Sequence, residues 1–190
     1  VDVVAPALLG CWVVTDRPEG QAALRLTEVE AYSGAGEDPA SHAHRGPTPR
    51  AAIMFGPPGR LYVYFSYGVH WCLNIVTGSE NDPCAVLVRA ADPLEGVDFM
   101  VERRHGYRDL ASGPGRLGQA FGVTGELDGH DLSIPPLRLL PGWLVTKDEV
   151  QVSPRIGISR AVDWPLRFSV RSSNSVSKGR SKFSNANELE

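Results

Sequence analysis

The stretch 25-RLTEVEAYSG-34 reads as a β-strand that carries two carboxylates and an aromatic where a strand usually carries core. Successive side chains of a strand point to opposite faces. Unbroken alternation therefore puts Glu28, Glu30 and Tyr32 on the face of Leu24 and Leu26, with Arg25, Thr27, Val29 and Ala31 on the other. A carboxylate in that position is either a strand-end surface charge or an acid or base held in place for chemistry.

The flanking sequence supplies a small α+β domain. Upstream, Pro6 opens a helical turn closed by Gly10, followed by a strand over 11–15 and a turn at 16-DRPEGQ-21. Downstream, residues 33–60 are rich in Gly, Pro, Ser and His without a period, which predicts a long ordered loop. The run 59-GRLYVYFSYGVHWCLNIV-76 predicts two strands around a tight turn near 66–68, with Tyr62 and Tyr64 on one face of the first strand. In the second, His70, Cys72 and Asn74 share a face, and Tyr67 sits at the tip, where core packing does not call for an aromatic. A strand at 84-CAVLVRA-90 is interrupted by Arg89. A helix is expected from 92-DPLEG-96, with Asp92 as N-cap and Leu94, Val97 and Val101 facing the core. A second helix is expected in 112-SGPGRLGQAFG-122, whose N-terminus with Arg116 suits a phosphate. Strands are expected at 155-RIGIS-159 and 165-PLRFSVRS-172, and the polar end of the chain is expected to fray.

A chain of 190 residues with 42% hydrophobic and 22% charged content fits one globular domain. No run approaches the ~18 apolar residues of a membrane helix. Three cysteines without paired spacing indicate reduced thiols, and no zinc motif is present. The net charge of −3 excludes a uniformly basic coat protein. Yet residues 39–79 contain no acid, and only three of the 19 basic residues are lysines, Lys147, Lys178 and Lys182. Arginine's forked donors match phosphates, so an anionic polymer and ordinary solvated faces both remain open on this count.

No Walker loop, dinucleotide fingerprint, HExxH or GxSxG motif occurs. What remains is a strand glutamate, clustered tyrosines, a tip aromatic and arginine-rich stretches. An enzyme that unstacks a base needs aromatic faces, a wedge, phosphate contacts and an acid or base at the sugar.

At this level of detail the sequence resembles the alkyladenine (3-methyladenine, methylpurine) DNA glycosylase family. The resemblance is carried by 28-EVEAY-32, 41-SHAHRGPTPRAAIMFGPPGRLYVYFSYGVHWCLNI-75, 85-AVLVRAADPLEG-96, 112-SGPGRLGQAFG-122 and 155-RIGIS-159, in family order. It implies a glycosylase domain over residues 1–172 and a polar tail over 173–190. The implied fold is a single α+β domain with a curved, mainly antiparallel sheet and short flanking helices, similar to the C-terminal domain of formyltransferases. Glu30 would activate the water that attacks C1′. Tyr32 and Tyr64 would sandwich the base, His42 would contact the base or its phosphate, and Asn74 would screen purines. Tyr67 would fill the vacancy in the duplex, Arg89 would lie near the sugar and nucleophile, and Ile156 and Gly157 would border the pocket. Arg45, Arg50 and Arg116 would meet phosphates.

The implied substrate is double-stranded DNA with damaged purines, bound by a monomer without metal, cofactor or membrane, in the nucleoid of a bacterium or the nucleus of a eukaryote. The absence of lysine from the pocket motifs implies base release without strand cleavage. Departures from the family pattern include Ala43, Arg116 and His70, and the sequence SSNSVS after Arg171. Two other readings stand beside this one: a non-catalytic nucleic-acid-binding domain of the same fold, and a small-molecule hydrolase using Glu28 and Glu30 as a carboxylate pair.

Overall fold

In the computed structural model, which describes residues 1–18 and 20–177, residues 25–32 belong to the central strand of the molecule. Eight antiparallel strands form the sheet: β1 (Trp12–Arg17), β2 (Gly20–Tyr32), β3 (Leu61–Ser66), β4 (His70–Val76), β5 (Ala85–Glu95), β6 (Leu137–Leu140), β7 (Val150–Ser153) and β8 (Arg167–Val170). Their order is β3-β4-β5-β2-β1-β6, and β8, followed by β7, also joins β2. The edge of β2 opposite β5 is divided. Residues from Gly20 to Arg25 pair with β1, and Glu28 to Glu30 pair with β8.

The division falls at an irregularity that reverses the expected face of the carboxylates. Leu26 pairs with Ala91 and Glu28 with Ala90, which makes Thr27 an extra residue in β2. The next pair is Val29 with Val88, which makes Arg89 an extra residue in β5. Each β-bulge advances the side-chain alternation by one place. The apolar core therefore takes Ala22, Leu24 and Leu26 before the bulge, and Val29 and Ala31 after it. Glu28 and Glu30 lie on the opposite face from Leu24 and Leu26, which corrects the reading from simple alternation.

The core face is completed by Leu61, Val63, Leu73, Ile75, Val86 and Val88, and is covered by Met100 of α2 (Val97–Arg103) and Leu117 of α3 (Pro114–Ala120), with Phe121 following. Helix α3 lies so close to β4 that a Cβ at Gly118 would stand 2.2 Å from the Trp71 carbonyl oxygen. The other sheet face carries Tyr62, Val76 and Ala85, roofed by Ala43, Ala51 and Met54 of the 33–60 loop. That loop is ordered as expected and includes a 3₁₀ turn at Ala52–Phe55. A short helix, α1 (Val4–Ala7), precedes β1, with Pro6 inside it rather than at its start.

Several local expectations are corrected. Asp92 does not cap a helix: β5 continues to Glu95, because Asp92 pairs with Arg25 across the strands and by an ion pair. Helix α2 starts after Gly96, whose left-handed backbone (φ 70) turns the chain, and it buries Met100 while Val97 stays exposed. Residues 155–159 form no strand; the strand is β7, immediately before them. The fraying expected after 172 does not hold for 173–177, where Ser173 binds Asp92 and Ser177 is buried. Residues 178–190 lie outside the described residues.

Leu26 is fully buried beside the bulge. Leu26→Ala is expected to cost about 3 kcal/mol, read as a lower urea midpoint at unchanged m-value.

Candidate active site

The face reversal turns Glu30 toward a cavity of about 490 Å³ on the sheet face opposite the main apolar core. The cavity is lined by Tyr32, His42, Arg50, Tyr64, Tyr67, Asn74, Arg89, Ile156 and Gly157, together with Tyr62, Cys72 and Leu87. Of the residues that the family resemblance assigns to the site, only Glu30, Arg45 and Arg116 are not in its wall.

Glu30 lies directly behind that wall, fully buried. Its Oε1 accepts the Ile156 N–H at 2.7 Å, and its Oε2 accepts the Tyr32 hydroxyl at 2.9 Å and faces Arg89 Nη1 at 3.2 Å. Burial raises the carboxyl above its ordinary value of 4.5, against the opposing pull of Arg89, the Ile156 amide and the Tyr32 hydroxyl. Burial and the neighbouring Glu30 push the Tyr32 phenol well above 10, so Tyr32 remains a donor.

Glu28 is also fully buried but is engaged elsewhere. Its carboxylate accepts from Arg89, Arg167 and Ser177, and it does not line the cavity. A catalytic pair of Glu28 and Glu30 is therefore not what the geometry presents; Arg89 stands between them as their shared counter-ion.

The aromatic wall comes from β2, β3 and the 33–60 loop. Tyr62 and Tyr64 lie with ring centroids 5.5 Å apart, and the His42 ring meets the Tyr64 edge at 4.6 Å. The Tyr62 hydroxyl is 2.7 Å from His42 Nδ1. Desolvation, then the Arg50 charge, lower His42 to about 4, which keeps the imidazole neutral. Burial raises the Tyr62 phenol to about 12 and moves that of Tyr64 further in the same direction. Asn74, opposite Tyr62 in the β3–β4 pair, donates its Nδ2 to the Tyr62 carbonyl at 3.0 Å, which fixes its amide at the wall. Arg50 stacks over Tyr64 at 4.8 Å.

Tyr67 is 92% exposed at the β3–β4 turn. Both central residues of that turn are left-handed, Tyr67 with φ 52 and Gly68 with φ 67, as the twist of a tight hairpin requires. A bulky residue costs of order 1–2 kcal/mol in that conformation. Neither core packing nor backbone preference accounts for an exposed tyrosine there.

Arg45 is exposed on the 33–60 loop. Arg116 is exposed on α3 and paired with Asp109 at 2.9 Å.

The buried pair beneath Tyr32 was not legible in the sequence. Arg155 binds Asp38 through two nitrogens, donates to the Ala31 carbonyl at 2.9 Å and stacks on the Tyr32 ring at 4.6 Å. Arg155 immediately precedes Ile156, so this pair holds the segment that supplies the Ile156 amide to Glu30. Asp38 sits in a loop without periodicity, and only its place beside the turn-forming Pro39 could have drawn attention to it.

The family model described as methylpurine-DNA glycosylase matches residues 1–174, and the chain belongs to that family. It is 48% identical to a protein of Frankia casuarinae over 93% of this chain and 87% of the relative. It is likewise 48% identical to one of Methanoculleus marisnigri over 92% of each chain, and 49% identical to one of Streptomyces avermitilis over 82% and 76%. All three relatives are provisionally named 3-methyladenine DNA glycosylase. The protein is thus an enzyme of DNA repair, a DNA glycosylase. Among the described residues, no helix is long and apolar enough to cross a membrane.

The two classes of ion pair are expected to differ in weight. Asp38→Ala strands Arg155, whose side chain is 0% exposed, and should cost about 3–5 kcal/mol. Asp109→Ala breaks an exposed pair and should cost at most about 0.5 kcal/mol. Burial opposes ionisation of Asp38, but Arg155 and the Ala40 and Ser33 amides outweigh it and hold the carboxyl below 3.8. Its contribution is therefore present above pH 3.8 and lost as pH falls through the lowered value. Denaturant titrations of both variants at neutral and acid pH check this.

Proposed function

We propose that this enzyme excises alkylated purines, 3-methyladenine and 7-methylguanine among them, from double-stranded DNA by hydrolysing the N-glycosidic bond of a flipped nucleotide. The observation that carries the reading is the set of contacts made by Glu30: a desolvated carboxylate, held by Tyr32, Arg89 and the Ile156 amide immediately behind a base-sized aromatic cavity.

In this reading the damaged base enters between Tyr32 and Tyr64. N3- and N7-alkylated purines are cationic, and electron-rich tyrosine faces attract them. Water attacks C1′ as the C1′–N bond breaks. The bonding electrons pass to the base, which leaves neutral, and the water proton passes to Glu30. Glu30 also stabilises the oxocarbenium-like sugar. Asn74 rejects normal guanine by meeting its exocyclic amine. His42 contacts the base or its phosphate, and the Ile156–Gly157 backbone borders the flipped sugar. Tyr67 occupies the gap in the duplex. Arg45, Arg50 and Arg116 bind phosphates, Arg116 after exchanging its Asp109 partner for DNA. The protein acts as a monomer. Hypoxanthine, which is neutral, is a substrate only where the pocket assists its departure by a hydrogen bond.

Single-turnover base release from a duplex with one alkylated purine tests the reading. Glu30→Gln is expected to lower the rate about 10²–10⁴-fold while duplex binding persists. The wild-type rate should fall at acid pH with a midpoint above 4.5, because burial raises Glu30. Wild-type release by the variant would remove Glu30 from the mechanism.

The enzyme is further expected to leave an intact abasic strand. A lyase needs an amine at the sugar; the one lysine among the described residues, Lys147, is exposed and outside the cavity wall, and Lys178 and Lys182, which lie outside the described residues, belong to none of the pocket motifs. Borohydride should therefore trap no covalent enzyme–DNA adduct on a denaturing gel.

A further inference from the structure

The guanidinium of Arg89 is held on two sides. Nη1 faces Glu30 Oε2 at 3.2 Å. On its other side, Nε donates to Glu28 Oε1 at 3.2 Å, and Nε and Nη2 donate to Ser177 Oγ at 3.3 and 3.2 Å. Ser177 in turn gives its backbone N–H to Glu28 Oε2 at 2.5 Å and its hydroxyl proton to Glu28 Oε1 at 2.7 Å. One hydroxyl thus donates to the carboxylate and accepts from the guanidinium, which is its full capacity. Glu28 is 0% exposed, and Ser177 is 8% exposed although it lies seven residues beyond the last strand residue, Val170. The path between them is anchored by Ser173, whose hydroxyl donates to Asp92 at 3.1 Å.

We propose that Glu28 and Ser177 are positioning residues that fix the Arg89 guanidinium against Glu30, so that the segment after β8 is a working part of the active site. The inference rests on Glu30 acting as the base. Arg89 occupies the bulge of β5 and has no cross-strand partner there, so strand pairing does not aim its side chain; Glu28 and Ser177 do. Arg89 divides its charge between two carboxylates, and the Ser177 hydroxyl satisfies part of the demand from Glu28. Removing that hydroxyl makes Glu28 a stronger competitor for the guanidinium and draws it from Glu30. Removing the Glu28 charge does the opposite.

The ionisable groups around this arrangement are Tyr32 and Glu28 on the strand of Glu30, Arg89 on β5, and Cys72 on β4, which interacts with Arg89. Arg155 lies against Tyr32, and Arg167 on β8 lies against Glu28. Glu28→Gln also removes the direct repulsion of Glu28 on Glu30, whereas Ser177→Ala leaves all six groups in place, so Ser177→Ala is the variant that reports on Arg89.

The test is single-turnover base release as a function of pH by the full chain. Ser177→Ala is expected to slow release about tenfold or more, in line with displacement of a catalytic group, and to move the acid limb to higher pH. Ser177→Thr, which keeps the hydroxyl, should retain the wild-type limb. Glu28→Gln should move the limb to lower pH. Thermal unfolding of each variant gives the folded fraction. An unshifted acid limb in Ser177→Ala, whether the rate is kept or is lower only in step with folded protein, overturns the proposal and leaves a purely structural tail. Glu30→Gln, run alongside, separates the two readings: if it is inactive while Ser177→Ala matches wild type, positioning alone fails. Wild-type release by Glu30→Gln overturns both.

Discussion

Arg89 lies between two fully buried carboxylates, and the geometry around it organises the molecule. An ionised carboxylate buried without a partner costs several kcal/mol. Two of them on neighbouring positions of one strand are tolerable only with a cation between them. The paired bulges provide that cation: Thr27 is extra in β2, Arg89 is extra in β5, and the two offsets cancel, so the ladder resumes in register beyond them. A sheet with neither bulge would send Glu28 and Glu30 into the space filled by Leu24 and Leu26. The bulge is also where β2 exchanges β1 for β8 as its neighbour. The same local event therefore aims Glu30, supplies its counter-ion and divides the sheet.

Around that centre the cavity is built from two levels of rigidity. Tyr62, Tyr64 and Asn74 stand on paired strands, so their relative positions are fixed by register. Tyr32 is on β2 but is additionally backed by Arg155, a guanidinium stacked on its ring and clamped to Asp38. This backing matters because Tyr32 has two duties: it walls the cavity and donates a hydrogen bond to Glu30. A ring free to rotate would lose one in performing the other. The 33–60 loop, lacking strands, is fixed instead by burying Ala43, Ala51 and Met54 against the sheet.

Much of this was legible in the sequence. The hairpin around Tyr67, the strand bearing Arg89, helix α3 and the ordered loop all follow from alternation, turn residues and capping signals. The alternation argument failed at Thr27 because a bulge leaves no signature in one sequence; it exists only as a relation between two strands. Asp92 had every local mark of a helix cap and was claimed by Arg25 across the sheet, a tertiary preference outweighing a local one. The residues that face the cavity were found because their types are unusual for their places. Asp38, Arg155 and Ser177 were not, because a buried ion pair or a buried serine looks like a surface residue until its partner is known.

The same long-range character says something about how activity is tied to folding. Glu28, Glu30 and Asp38 are balanced by Arg89, Arg155 and Arg167, three acids against three arginines, all buried or nearly so. Apolar replacements of such networks are often as stable or more so, so stability alone does not account for the arrangement. What an apolar core cannot supply is a desolvated carboxylate of raised basicity beside a fixed positive charge. The contacts that create it join residues far apart in the chain, 149 positions in the case of Glu28 and Ser177. Contacts of this kind close long loops and carry the entropy cost of doing so. The environment of Glu30 is thus a property of the complete fold, since no single element brings Glu28, Arg89 and Ser177 together.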